Sequence, residues 1–160
     1  MISIETPFPP QALPQAWGWL REFPDCNFDD FGPSTLDEFL AEMARRAESE
    51  QSWGISKDGE LCGIVGYLPI TARNGTFHGI CFARWSWGRE TTMTAVRSII
   101  GSLLGRGVEK ISASFFADNS KIYAFFRDLG AVDEGYWKAQ TLRQGKPTDM
   151  RSVAIFREGC

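Results

Sequence analysis

The chain has 160 residues, 43% hydrophobic and 23% charged, a length and balance that suit one compact domain spanning 1–160 and exclude a disordered or fibrous chain. Its net charge of -3 and a pI near 5.2 lack the basic face that nucleic acid needs, and no apolar run reaches membrane-spanning length. Neither partner is expected. Cys26, Cys62, Cys81 and Cys160 form no C-x-x-C pair and His78 is the only histidine, so no metal and no disulfide framework is read. Reduced thiols in a cytoplasm are the simplest reading, and the proline-rich start (Pro7, Pro9, Pro10, Pro14) does not have the build of an export signal.

Leu13, Trp17 and Leu20 recur at helical spacing and predict a first helix closed by Phe23-Pro24. Asp25 to Pro33 has the composition of a loop, with Phe28 and Phe31 inside it. Ser34 with Asp37 resembles a capping box, and Leu36, Phe39, Leu40, Met43 and Ala47 give a second amphipathic helix. After Ser49 the period changes to that of strands. Trp53 and Ile55 alternate with polar neighbours, Asp58-Gly59 supplies a turn, and Leu61 to Leu68 is apolar on both faces. Asn74-Gly75 predicts a second turn, and Thr76 to Arg84 a third strand.

Met93, Val96, Ile100 and Leu103 mark a central helix that stops at Gly105 and Gly107. Val108 to Phe116 is the next strand. Ile122, Phe125, Phe126 and Leu129 form a short helix ended by Gly130, and two strands follow, about 134–142 and 150–156, around a Gly-Lys-Pro turn. The order is ααβββαβαββ, an α/β (α+β) arrangement of one mixed sheet flanked by helices. A helix lies between two strands twice, so part of the sheet can be parallel.

This order resembles the GNAT N-acetyltransferase fold, and particular residues carry the likeness. Trp87-Gly88-Arg89 looks like the Trp-Gly-Lys/Arg that opens the pyrophosphate loop in the ribosomal-protein alanine acetyltransferase branch, and Ala95 falls where that branch commonly has alanine. Asn119, Leu129-Gly130, Glu134-Gly135 and Gly145 with Asp149 continue the series, so the likeness runs from about Trp53 to Phe156. It implies a mostly antiparallel central sheet with a strand splay at an acyl-CoA site. It also implies acetyl-CoA as co-substrate and an amine-bearing small molecule or protein as partner, with the enzyme a monomer or homodimer.

A loop feeding a helix N-terminus holds phosphate through free N–H groups and the helix dipole, and Gly88, Arg89, Glu90, Thr91 and Thr92 occupy that place. Family members usually have further small residues here, where this chain has Glu90 and Thr92. Glu90 would cost affinity if it faced phosphate, and it would stabilise the helix start if it turned outward. The resemblance assigns the thioester carbonyl to a backbone N–H at a bulge or splay, by position that of Cys81, Phe82 or Ala83. Taken alone, the three residues read as plain strand core.

An α-amine near pKa 7.8 is neutral in roughly 15% of molecules at pH 7, a lysine side chain in only about 0.04%. His78 is the candidate base, with Glu60, Asp118 and Glu134 as carboxylate alternatives and a structural histidine as the simpler reading. For the general acid, relatives place tyrosine where this chain has Phe126, and Tyr123 is the nearby substitute. Asn119 reads as a helix N-cap, which the resemblance places also on the pantetheine arm. The expected function is acetyl transfer to a primary amine (a protein N-terminus, a lysine or a small molecule) by direct attack. A non-catalytic acyl-CoA sensor or interaction module on the same fold is the competing class.

Overall fold

The computed structural model describes residues 1–87 and 89–157, without the side chains of Cys26 and Arg89. Seven strands, Ile2–Glu5 (β1), Gln51–Lys57 (β2), Glu60–Pro69 (β3), Asn74–Phe82 (β4), Lys110–Phe116 (β5), Val132–Arg143 (β6) and Lys146–Phe156 (β7), form one sheet ordered β1-β2-β3-β4-β5-β7-β6. Every neighbouring pair is antiparallel except β4 and β5. The helices are Leu13–Arg21 (α1), the single turn Pro24–Asn27 (α2), Leu36–Arg46 (α3), Arg89–Gly105 (α4) and Ser120–Asp128 (α5). α4 carries the chain across the sheet between the two parallel strands, as such a pair requires. α5 leads instead to the edge strand β6, because β7 takes the place beside β5.

The core lies where α4 covers the sheet. Val96, Ile99, Ile100 and Leu103 are buried against Ile55, Val65, Ile111 and Val153 in one cluster. Each such side chain contributes about 1.5–3 kcal/mol of burial. α3 is held at its start by Thr35, whose hydroxyl accepts from the Glu38 N–H while Glu38 reaches back to the Thr35 N–H. The capping box is therefore Thr35/Glu38 and not Ser34/Asp37. Glu is long enough to return to the cap, and Ser34 joins it by donating N–H and Oγ–H to Glu38 Oε2, each at 2.8 Å.

Other boundaries differ for physical reasons. β1 alternates Ile2 and Ile4 with Ser3 and Glu5, but four residues are too few for the sequence to announce a strand; its partner is β2. Asn74-Gly75 is not a turn: it opens β4, with Gly75 opposite Pro69 and the Asn74 carbonyl accepting from the Ile70 and Thr71 N–H groups, and the reversal is at 70–73. Gly75 is glycine because the Tyr67 ring occupies the space of a Cβ. β4 stops at Phe82, and Arg84–Ser86 is a 3-10 turn. At the other end, Gln144 and Gly145 with φ of 54° and 70° make the β6–β7 turn, so Lys146 and Pro147 already belong to β7.

One irregularity positions the site. β4 and β5 pair only through Asn74–Phe77 and Lys110–Ala113. Past that point β4 stays on β3 as far as Phe82, and β5 stays on β7 as far as Phe116, so the sheet opens between them. This is the splay that the resemblance implies.

Candidate active site

A strand's N–H groups alternate between its two edges, which decides which of the three candidate donors face the opening. The Ala83 N–H donates to Cys62 O on β3 at 2.8 Å and is not available. By alternation the Cys81 N–H also faces β3, opposite its register partner Ile64, and the N–H groups of Ile80 and Phe82 face the gap. The expected bulge is displaced as well. Gly66 faces Gly79 and Tyr67 faces Phe77, so the extra residue of β4 is His78, where two facing glycines leave room for the kink.

Phe82 is held from both sides. Its ring covers Gly63, where a Cβ would lie 2.5 Å from Cδ1, and its carbonyl accepts from Trp87 Nε1 at 2.7 Å. The Trp87 ring in turn lies 4.9 Å from that of Phe23. Ser86 is buried and donates to Ala83 O at 2.8 Å, which tightens the turn between β4 and α4. Gly88 and the Arg89 side chain lie outside the described residues, as do Cys160 and the Cys26 side chain. α4 begins at Arg89, which puts Glu90 in its first turn, exposed to solvent, with Thr91 buried and Thr92 half-buried behind it. The outward reading of Glu90 accords with this exposure.

His78, half-exposed, is joined through Nδ1 to Glu50 Oε1 at 2.5 Å. The sequence reading missed Glu50, since a glutamate between α3 and β2 has no local signal of a partner on β4. Cys81 is buried, and burial, with the charge of Glu22 behind it, pushes its thiol up to about 12. Burial also raises the Cys62 thiol. Neither is a nucleophile at neutral pH.

Asn119 caps α5, its Oδ1 accepting from the Ile122 N–H at 3.2 Å. It lines a cleft of about 440 Å³ with Asp25, Asp118 and Arg143 at the end of β5. Phe126 is buried and stacks on Phe115 of the splayed β5 at 5.8 Å, with Phe77, the last paired residue of β4, at 6.5 Å. Its ring closes the apex of the gap and has no hydroxyl to offer. Tyr123 does not replace it: its hydroxyl donates to Asp133 at 3.0 Å under the Arg151 guanidinium, on the β6–β7 side. Among the carboxylate alternatives, Arg143 engages Asp118 and holds it below the usual carboxylate range, and Lys110 pairs with Glu134.

A strap crosses from the Trp87 side to the β6–β7 turn. Asp30 accepts from the Gln144 and Gly145 N–H groups, both at 2.7 Å, and donates its own N–H to Leu142 O at 2.9 Å. Asp25 accepts from Gln144 Nε2 at 2.7 Å, and Asp29 from the Thr141 hydroxyl at 2.6 Å. The segment read as a loop is therefore pinned, with the α2 turn inside it. Among the described residues no three His, Cys, Asp or Glu come together as a metal set, and no helix is long and apolar enough to cross a membrane.

A family model described as Acetyltransferase (GNAT) family matches residues 16–131. No curated protein sequence matches the chain. Among solved structures, a ribosomal-protein-alanine N-acetyltransferase from Brucella melitensis is similar at 15% identity and TM-score 0.78, over 97% of this chain and 99% of that one. A spermidine N-acetyltransferase from Vibrio cholerae, in complex with CoA and spermine, is similar at 16% identity and TM-score 0.81, over 97% and 95%. A probable GNAT-family acetyltransferase from Chromobacterium violaceum is similar at 15% identity and TM-score 0.75, over 97% and 87%. The model match over most of the chain and the opening between β4 and β5 agree: the chain belongs to the acetyltransferase (GNAT) family, whose chemistry is acetyl transfer to an amine.

Proposed function

We propose that residues 1–160 act as one domain that moves an acetyl group from acetyl-CoA to a primary amine by direct attack, in a cytoplasm, as a monomer or homodimer. The observation that carries this reading is the Phe82 N–H, turned by strand alternation into the gap between β4 and β5 and fixed there by Trp87. That N–H donates to the thioester oxygen as negative charge grows on it. The first turn of α4, Arg89 to Thr91, offers main-chain donors and the positive end of a 17-residue helix dipole to the coenzyme's diphosphate. Asn119 donates from the facing helix start to the pantetheine arm.

The amine nitrogen bonds to the carbonyl carbon, and its surplus proton passes to His78 Nε2, directly or through water. The carbon–sulfur bond then breaks, and the thiolate takes a proton from water, since the Tyr123 hydroxyl is committed to Asp133. Buried, protonated Cys81 supports direct attack over an acyl-thiol intermediate. Free thiols at Cys62 and Cys81 accord with a cytoplasmic setting. The amine class is wide: the strap and the cleft beside Asn119 suit a small molecule or a protein N-terminus entering from the open end of the splay. The test is thiol release from acetyl-CoA with a panel of α-amines, lysine peptides and polyamines, alongside calorimetry. Acetyl-CoA binding without amine-dependent thiol release would make the protein a sensor and not an enzyme.

A further inference from the structure

We infer that Glu50 is a positioning residue that holds His78 in the tautomer able to accept the amine's proton. The inference rests on the base role just given to His78. An ionised carboxylate only accepts hydrogen bonds, so a 2.5 Å contact between Glu50 Oε1 and His78 Nδ1 places the ring proton on Nδ1. In the neutral imidazole the lone pair is then on Nε2, the nitrogen turned away from Glu50. Without the carboxylate the ring would share its proton between both nitrogens, and part of the population could not take a proton at Nε2.

Glu50 is built for this task. Its side chain is only 8% exposed, whereas His78 is 45% exposed, so the carboxylate is the fixed member and the ring the one that meets solvent and substrate. Its other oxygen, Oε2, lies over Gly66, 3.5 Å from where a Cβ would be, opposite Gly79 across the β4 bulge. A Cβ at position 66 would sit in ordinary van der Waals contact with that oxygen. Arg46 steadies the arrangement: its Nε is 3.9 Å from Glu50 Oε1 and its Nη1 donates to the His78 carbonyl at 3.4 Å, while Glu42 pairs with the same guanidinium. Glu42 and Arg46 from α3, Glu50 just before β2 and His78 on β4 thus form one chain of charge ending at the splayed strand.

The single histidine makes the test direct, because a long-range proton–nitrogen spectrum of the uniformly labelled protein contains one imidazole. Wild type should show the neutral ring protonated at Nδ1, and Glu50→Ala should return it to a mixture rich in the Nε2–H form. E50A should lower kcat about tenfold or more, since fewer rings carry the free Nε2 lone pair and the carboxylate no longer stabilises the imidazolium that forms, and should add no further loss in an H78A background. Glu50→Gln keeps an acceptor oxygen, so it should keep the Nδ1–H form and lose less rate, which guards against an E50A chain that does not fold. A neutral Nε2–H ring in wild type, or an E50A loss undiminished in H78A, overturns the positioning role while leaving His78 as base. An H78A variant with wild-type kcat overturns the base assignment and the role of Glu50 with it.

Discussion

Replacing Gly63 by alanine tests whether Phe82 is the residue that serves the reaction. A Cβ at 63 would lie 2.5 Å from Phe82 Cδ1 and 2.6 Å from Cε1, so the ring must shift, and the strand that carries the Phe82 N–H moves with it. Overpacking of this kind costs about 1–3 kcal/mol, or about 2–4 °C of Tm per kcal/mol in a chain of this size. A donor displaced by a fraction of an ångström loses about 10- to 100-fold in kcat. Gly75→Ala is the control. Its Cβ would overlap the Tyr67 ring, which is 2% exposed and has nowhere to go, but at the end of β4 still paired with Ile111 of β5. G75A should be at least as destabilised by differential scanning fluorimetry, yet keep kcat within about threefold when assayed well below its Tm. Equal losses of kcat in the two variants, or a destabilised G63A with wild-type kcat, would refute the assignment of the acyl site to Phe82.

Thr35→Ala removes the α3 cap and should lower Tm by roughly 2–4 °C for about 1 kcal/mol, the Ser34 bonds to Glu38 limiting the damage. Asp30→Ala frees the strap from the β6–β7 turn; limited proteolysis should then cut within 25–33, and the KM for the amine should rise about three- to tenfold while that for acetyl-CoA stays level. The Ala139 N–H, then the Tyr136 hydroxyl, hold Asp149 below its usual 3.8, so its contribution is full above that value and is lost as pH falls through the lowered one. The Tm difference between wild type and D149N should accordingly be constant from about pH 7 to pH 5 and shrink below about pH 4. Glu90→Gln separates the two orientations: a carboxylate about 5 Å from a phosphate costs about fourfold in acetyl-CoA affinity at low salt, a cost that fades as salt is added, whereas an outward Glu90 should change it by less than about twofold. Unchanged affinity at low salt would place Glu90 away from the diphosphate.

What was legible of the candidate site is local: the Asn119 cap and the placement of His78 on the central strand are read from residues within a turn or two of one another. The assignments that changed all depended on a second element. Whether Cys81, Phe82 or Ala83 presents its N–H to the gap follows from the β3 register, and the bond from Ala83 to Cys62 O is made across 21 positions of chain. Tyr123 was a candidate acid until Asp133 and Arg151 came from β6 and β7 to claim its hydroxyl and ring.

By itself the sequence determined most of the helices and strands from Leu13 onward and the apolar faces they bury, because hydrophobic period and turn chemistry act over a few residues, and its short motifs from Trp87 to Asp149 carried the resemblance to the family. Only the tertiary structure decided the β7-before-β6 order, the parting of β4 and β5 after Phe77, the strap pinned by Asp30 and the pairing of Glu50 with His78. These are contacts between distant segments. Their partners are chosen by packing and register, which no short window of sequence contains.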